Sequence, residues 1–512
     1  MISLTSVSVE LTTAFFIVLL LVGPMFLWLR KLESRPKNLP PVIKIAEAEL
    51  FKRPREAYET ALGKYGPVIA VKRKGRVEYI VDSSLTHQVL TTNHLFSFEE
   101  GTAFILNLYY FKKLFTAFFV DIDDLVHNVI AARMPLVVEQ VFPVFMKHAS
   151  NLFDELHCLR EDAQETRYVH GLDHTHKSIS EAMALIILGP DFVNPTNLLA
   201  VEKVAHDIAV VTGLYQNTSW WGTNYPDVWR LFTWARVLFT TIPLFYASIG
   251  LQIWRKLRKE TYDSDIATDS PEQFKGSVLD FLGCKFTNRT SGRIGFSAYL
   301  RITALVLGIV FASVHQTASV AVWVLYELAM RPEYQSALHE ELFDICGVAC
   351  SVDNANVSYE SLQKAARLDS FIREVLRTKG DTLSTCRLTT ASVPIGGYVI
   401  PKGFLVIPLA SLSHMSTQYH GPDAEKFDGA RWVGTGKQAV TVNHTYFPFG
   451  LGRWACPGRA LAVAEIKMIV WAIICCSKPI LKGGMYTVPD PLNVTSVAPS
   501  GEMTLVPFNY IA

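Results

Sequence analysis

The stretch Phe447-Pro448-Phe449-Gly450-Leu451-Gly452-Arg453-Trp454-Ala455-Cys456-Pro457-Gly458-Arg459-Ala460 holds the residues of this chain best suited to chemistry. Gly450 and Gly452 let the backbone turn tightly and lie close against a flat cofactor, which side chains would prevent. Cys456 precedes Pro457-Gly458, where a helix from about Ala460 to Ile474 can begin. The positive end of that helix and its unpaired amides favour a thiolate, so Cys456 is a candidate anionic sulfur ligand. A lone cysteine in a glycine turn would read as an inert buried thiol; the surrounding run is what argues for ligation.

Two other groups have chemical potential. Glu374 and Arg377, three positions apart within Leu368–Arg377, share a helical face and can pair, and Arg431 lies downstream in Phe427-Asp428-Gly429-Ala430-Arg431-Trp432. Such a pair is commonplace and worth little alone. In a long helix expected from about Ala304 to Met330, the residues Gly308, Ala312, His315, Gln316 and Ser319 fall on one face. His315 can carry a proton, whereas Gln316 can only hold a hydrogen bond. A core histidine satisfied by a backbone carbonyl is the plainer reading of His315.

The elements that must position these residues belong to a large apolar chain. Half of the 512 residues are hydrophobic and 19% are charged, which points to a big core, a membrane contact, or both. A net charge of +1 leaves no electrostatic footprint for nucleic acid. The eight cysteines are scattered, so neither a disulfide framework nor a structural zinc site is expected.

Leu11 to Leu29 carries no charge and approaches the ~20 residues a membrane-spanning helix needs. Residues 1–10 contain no Lys or Arg and no cleavage site precedes Arg30, which favours an anchor over a removed signal peptide. Arg30, Lys31, Arg35 and Lys37 then place the remainder on the cytosolic side. Residues 30–42 form a basic, proline-rich linker, and 43–512 form the body. The Asn-x-Ser/Thr sequons at Asn217, Asn288, Asn356, Asn443 and Asn493 are chance matches on that side of a membrane.

Within the body the pattern predicts a helix over Arg55–Tyr65 and a hairpin of Val68–Val71 with Val77–Val81 around Lys74-Gly75. From Ser83 it is helical almost throughout, with few strand-like runs before Tyr398. Fold class is therefore mainly α with a small β region. Aromatics including Phe98, Phe104, Tyr109, Tyr110 and Phe111 crowd one segment and suit either core or an apolar pocket. Val237–Trp254 is uncharged but interrupted by Pro243 and Gly250. It reads as a surface helix pair dipping into a bilayer, with a second span as the alternative. Trp220, Trp221, Trp229 and Trp234 just before it suit an interface.

The run around Cys456 resembles the haem-binding loop of cytochromes P450, Phe-Gly-x-Gly-x-Arg/His-x-Cys-x-Gly, with Phe449, Gly450, Gly452, Cys456 and Gly458 in register. Trp454 departs, standing where the family usually has an Arg or His for a haem propionate. Glu374, Arg377 and Arg431 resemble the family's buried structural network, Arg387 its propionate-binding arginine, and Ile400-Pro401-Lys402-Gly403 its strand turn. Ala312-Ser313-Val314-His315-Gln316-Thr317 occupies the place of Ala/Gly-Gly-x-Asp/Glu-Thr-Thr. The resemblance thus puts Ala312 beside the cofactor and makes His315, Gln316 and Thr317 the distal catalytic candidates. The family's Trp-x-x-x-Arg is missing, and neither His127 nor Arg133 is assigned its role.

The resemblance implies one large cytochrome P450 domain behind the anchor, with haem b held by Cys456 and dioxygen chemistry at its iron. Electrons would come from NADPH through NADPH–cytochrome P450 reductase, docking near Arg453, Arg459 and Lys467. The membrane would be the endoplasmic reticulum, crossed once with residues 1–10 lumenal. The substrate would be a lipophilic terpenoid, polyketide or alkaloid of fungal secondary metabolism. Gln316 keeps open a haem-dependent isomerase or dehydratase, and a non-catalytic membrane haem protein is the other alternative.

Overall fold

The computed structural model describes residues 38–508 except 74, 107, 109–111, 114, 158–165, 215, 217–218, 261, 263–273, 348–356 and 476. The expected anchor at 11–29 and Tyr109, Tyr110 and Phe111 lie outside the described residues.

The described residues include first β1 (Val42–Ile43), α1 (Pro54–Tyr65) and the hairpin of β2 (Val68–Arg73) and β3 (Arg76–Val81). Pro54 opens α1 and Gly66, at φ 104°, stops it. Then come α2 (Thr86–Thr91), β4 (Phe96–Ser97), α3 (Phe98–Ile105), α4 (Phe118–Leu125), α5 (Met134–His157), α6 (Gly171–Leu188) and α7 (Pro195–Val211). A helical run, α8, spans Pro226–Lys259, and α9 spans Phe296–Ala329. After α10 (Pro332–Cys346) and α11 (Ala366–Thr378) the short strands β5 (Arg387–Thr389), β6 (Val393–Ile395), β7 (Tyr398–Ile400) and β8 (Leu405–Pro408) follow. The last elements are α12 (Arg459–Ile474), β9 (Ser477–Leu481) and β10 (Met503–Pro507).

Six strands form one sheet in the order β1-β2-β3-β8-β5-β4. β8 joins the N-terminal hairpin in parallel, pairing Tyr79 with Val406, and β5 runs antiparallel to β8 with Arg387 opposite Val406. Strands β4, β5 and β6 were not expected. Each has only two or three residues, so neither length nor alternation announces it; β4 pairs with the distant β5, whereas β6 forms a tight hairpin with β7.

The core is helical. α9 has 34 residues and is about 50 Å long at ~1.5 Å per residue. It packs against α6, α7 and α12, and α5 packs against α6 and α12. α9 begins at Phe296, earlier than the apolar pattern suggests, because its first turns carry Arg301, which pairs with Asp121 of α4 at 2.5 Å. α12 is buried on every side from Val463 to Ile474, fixing the element that follows Cys456 inside the core.

α8 corrects the expected helix pair. Pro243 and Gly250 do not divide it; instead Val237–Thr241 and Tyr246–Gly250 widen into π turns. Such turns absorb the amide that proline lacks, and Gly250 leaves room for the Tyr246 ring, which an added Cβ would meet at 2.7 Å. Residues 118–157, 226–259 and 296–329 are each long and apolar enough to cross a membrane by length and composition. Of their most apolar windows, 56% and 44% are buried in the first and third but 33% in α8, so α8 has the freest apolar face.

Candidate functional site

The loop before α12 is held from three directions. The Cys456 amide donates to Phe449 O at 2.8 Å and the Gly450 amide to Phe447 O at 2.9 Å, closing the turn. Gly450 and Gly452 have φ of 75° and 78°, the left-handed region that favours glycine. A Cβ on Gly452 would lie 3.0 Å from Leu90 O at the end of α2. A close approach to this neighbouring helix is thus one reason for the glycine. From the third direction, His414 Nε2 accepts the Phe447 amide at 3.0 Å. Burial, with His420, Arg377 and Arg373 nearby, pushes the His414 ring down to about 3, so it stays a neutral acceptor.

Cys456 retains accessible surface, yet burial pushes its thiol up, the combination expected of a side chain facing an internal space rather than bulk water. The backbone amides of Gly458 and Arg459 and the Arg459 charge act in the opposite direction, toward thiolate. Arg459 is itself held by donating to Cys456 O at 2.8 Å. These are the groups a helix N-terminus offers to an anion.

Arg387 is fully buried, and its Nη1 donates to Cys386 O and Thr385 Oγ1 at 3.1 and 3.2 Å. Its Nε and Nη2 have no hydrogen-bond partner among the described residues. The guanidinium stands 5.1 Å from the centre of the Phe98 ring, and Phe98 stacks on Trp454 at 5.2 Å. Where a cation was expected by resemblance, Trp454 thus extends an aromatic ladder that ends at Arg387.

On α9, Ala312 and Gln316 are exposed one turn apart in a stretch whose neighbours are buried or half-buried, so this face is accessible. His315 and Thr317 are buried, turned away from it. His315 Nε2 donates to Ser496 O at 2.9 Å and Gln316 Nε2 to Ser496 Oγ at 3.3 Å. The Ser496 loop is itself fixed, since Asp381 accepts the Thr495 amide and hydroxyl at 2.8 and 2.7 Å. Trp323 Nε1 adds a bond to Val494 O at 2.8 Å.

Glu374, Arg377 and Arg431 meet in a buried network. Arg377 grips Glu374 through Nη2 at 2.6 Å and Nε at 2.9 Å, and Arg431 Nε reaches Glu374 Oε1 at 3.1 Å. Trp432 Nε1 and the Asp428 amide complete the carboxylate shell at 3.0 and 3.1 Å. Arg377 Nη1 also binds His414 O at 2.8 Å, tying this network to the residue that props the Cys456 loop.

Three residues fall elsewhere. Lys467 is buried and bound to Asp369 at 2.7 Å and Leu362 O at 3.0 Å, so it cannot serve the docking surface expected of it. The physical reason is that α12 is enclosed on all faces. Arg133 is spent on Phe274 O and Gly276 O at 2.6 and 2.8 Å, and His127 lies 3.7 Å from Asp123. The sequence reading missed Asp123, which pairs with Arg453 at 2.7 Å beside the Cys456 loop, and also His414, Trp432 and Ser496. Asp123 and His127 share the four-residue spacing of the absent Trp-x-x-x-Arg, a signal that could have drawn attention to them.

This donor set fits a haem: a thiol with amide donors, a buried guanidinium with two nitrogens lacking partners among the described residues, and an accessible helix face. A family model described as cytochrome P450 matches residues 34–475. Abscisic acid 8'-hydroxylase 2 of Arabidopsis thaliana is 32% identical over 203 residues, 38% of this chain and 40% of that protein. Lanosterol 14-alpha demethylase of Eremothecium gossypii is 30% identical over 208 residues, 37% of this chain and 38% of its own length. Cytochrome P450 monooxygenase gliF of Aspergillus fumigatus is 32% identical over 250 residues, 43% of this chain and 46% of its own. Each match spans less than half of the relative.

Proposed function

We propose a function from one premise: this chain belongs to the cytochrome P450 family. It is a membrane-bound haem-thiolate monooxygenase that places one oxygen atom of dioxygen into a lipophilic small molecule. The observation that carries this reading is Cys456, part-accessible at the N-terminus of α12, together with Arg387, whose Nε and Nη2 have no hydrogen-bond partner among the described residues.

Haem b, when bound, supplies the iron at which dioxygen is activated, and thiolate ligation favours cleavage of the O–O bond. Cys456 would hold the iron, and the Gly458 and Arg459 amides oppose the effect of burial and favour its thiolate form. Arg387 would take a propionate through Nε and Nη2. Ala312 and Gln316 border the distal space, where Ser496 fixes the Gln316 side chain. His315 lies behind them as the group able to exchange a proton.

Two electrons come from NADPH through a reductase, for which Arg453 and Arg459 remain the candidate docking cations once Lys467 is removed. The exposed apolar side chains of α8 support a lipophilic substrate drawn from the membrane, here the endoplasmic reticulum with the domain cytosolic. Similarity to a fungal monooxygenase supports the fungal-type reading, and the substrate class proposed with it is a terpenoid, polyketide or alkaloid of secondary metabolism. Gln316, in the place of the usual alcohol, favours a second reading in which the same iron isomerises or dehydrates without inserting oxygen.

Replacing Cys456 with Ala should abolish the red-shifted carbon monoxide spectrum of thiolate-ligated haem, and an unchanged spectrum would overturn the ligand assignment. Labelled dioxygen separates the two readings, because label in the product requires monooxygenation.

A further inference from the structure

Between β9 and β10, residues 490–497 form a run of turns. Asp490 accepts the Leu492 and Asn493 amides at 3.0 and 3.2 Å, and Asn493 O accepts the Ser496 and Val497 amides at 3.2 and 2.9 Å. Apart from His315 and Gln316, hydrogen bonds from other described residues hold these turns at three points. Thr382 Oγ1 donates to Pro491 O at 3.2 Å, Trp323 Nε1 donates to Val494 O at 2.8 Å, and Asp381 accepts both the amide and the hydroxyl of Thr495. Only the Asp381 contact adjoins Ser496, and only it involves a carboxylate. Hydrogen bonds to an ionised group are roughly twice as strong as neutral ones. Burial of the Asp381 carboxyl, with Asp490 nearby, pushes it up to about 6 against the pull of the Thr495 bonds and of Arg73. At neutral pH it is therefore ionised and can only accept, which makes the Thr495 hydroxyl the donor.

Gln316 needs such a support. It is exposed, its long side chain loses rotamer freedom when fixed, and among the described residues one hydrogen bond holds it, from Nε2 to Ser496 Oγ at 3.3 Å. The preceding residue, His315, donates to Ser496 O at 2.9 Å. Where Ser496 sits thus decides where the Gln316 amide points. With Nε2 engaged, Gln316 Oε1 is left as an acceptor on the accessible face of α9.

We infer that Asp381 is a positioning residue for this face: through its two bonds to Thr495 it fixes Ser496, and through the Ser496 hydroxyl it orients the Gln316 amide. No bond is made or broken at Asp381, and no proton or electron passes through it. The inference deepens the haem-thiolate reading of the site and rests on it.

The test compares Asp381→Leu, Asp381→Asn and Thr495→Val in the full-length holoenzyme, each first shown to keep the red-shifted carbon monoxide spectrum. Asparagine can accept the Thr495 amide through its carbonyl and donate to Thr495 Oγ1 through its amide nitrogen, so it is the conservative replacement. Thr495→Val deletes the hydroxyl alone and carries the test if Asp381→Leu fails to fold. Hydrogen exchange of the backbone at 493–498 should rise several-fold in Asp381→Leu and less in Thr495→Val. In both, the infrared stretch of carbon monoxide on the holoenzyme should broaden or move toward that of Gln316→Leu, and a several-fold larger share of NADPH electrons should end in peroxide. Asp381→Asn should stay close to wild type in all three readouts. In a Gln316→Leu background, Asp381→Leu should move the stretch no further, because the two act as one unit. An unmoved stretch in both Asp381→Leu and Thr495→Val would overturn the inference. So would an equal further shift in the Gln316→Leu background, or Asp381→Asn no better than Asp381→Leu. A wild-type protein without the red-shifted spectrum sinks the haem-thiolate reading and the inference with it; a normal spectrum with unmoved variants sinks the inference alone.

Discussion

Arg387 shows how a single residue can be unfavourable for the empty fold and necessary for the filled one. A buried guanidinium with two unpartnered nitrogens costs about 1–3 kcal/mol relative to a satisfied one. Arg387→Ala should therefore raise the thermal midpoint of the haem-free protein, offset in part by lost packing against Phe98. The same change should speed loss of haem to an apo-myoglobin acceptor several-fold. Faster haem loss without gain in the haem-free state would mean that Nε and Nη2 are satisfied in solution. A loss rate equal to wild type would remove Arg387 from the propionate. At this scale the cysteine loop was legible because its types and spacing are local: Gly450, Gly452, Cys456 and Gly458 lie within nine residues. His414 and Ser496 were not, because each acts through a backbone contact with a segment far away in sequence, Phe447 and α9 respectively.

Among elements, α11 is fixed by one carboxylate. Glu374 is fully buried and accepts from Arg377, Arg431, Trp432 and the Asp428 amide, so removing it leaves the buried Arg377 without its counter-ion, while Arg431 keeps Asp423. Glu374→Ala should lower unfolding stability by roughly 3–5 kcal/mol, the range for breaking a buried pair from one side. Lys285→Ala, which deletes a part-exposed contact 3.7 Å from Asp121, should cost under about 1 kcal/mol. Urea midpoints of the two variants check the contrast, and equal losses would mean that the buried network adds nothing beyond a surface pair. The helix pair Glu374 and Arg377 was readable from spacing, and Arg431 by resemblance; the role of Trp432 needed the fold. α9 and α12 were likewise legible as long apolar helices. The continuity of α8 was not, because Pro243 and Gly250 read as breaks and only π turns reconcile them with one helix.

For the molecule as a whole, the placement of apolar surface decides how it meets a membrane. α5 and α9 are apolar because they build the core, whereas α8 turns Leu231, Phe232 and Phe239 outward with 72%, 67% and 79% of their surface exposed. Trp220 and Trp221 stand beside them, also exposed, with a ring type that favours the headgroup level. Arg258 and Lys259, exposed at the end of the helix, add attraction to anionic headgroups. This arrangement predicts a second membrane contact independent of residues 11–29. The chain shortened to start at residue 38 should still bind vesicles of mixed phosphatidylcholine and phosphatidylserine. Burying each phenylalanine contributes at least ~1.5 kcal/mol, so Phe232→Asp with Phe239→Asp should weaken that binding about a hundredfold. Co-sedimentation measures it, and equal binding of the shortened chain with and without the two changes would show that α8 faces water.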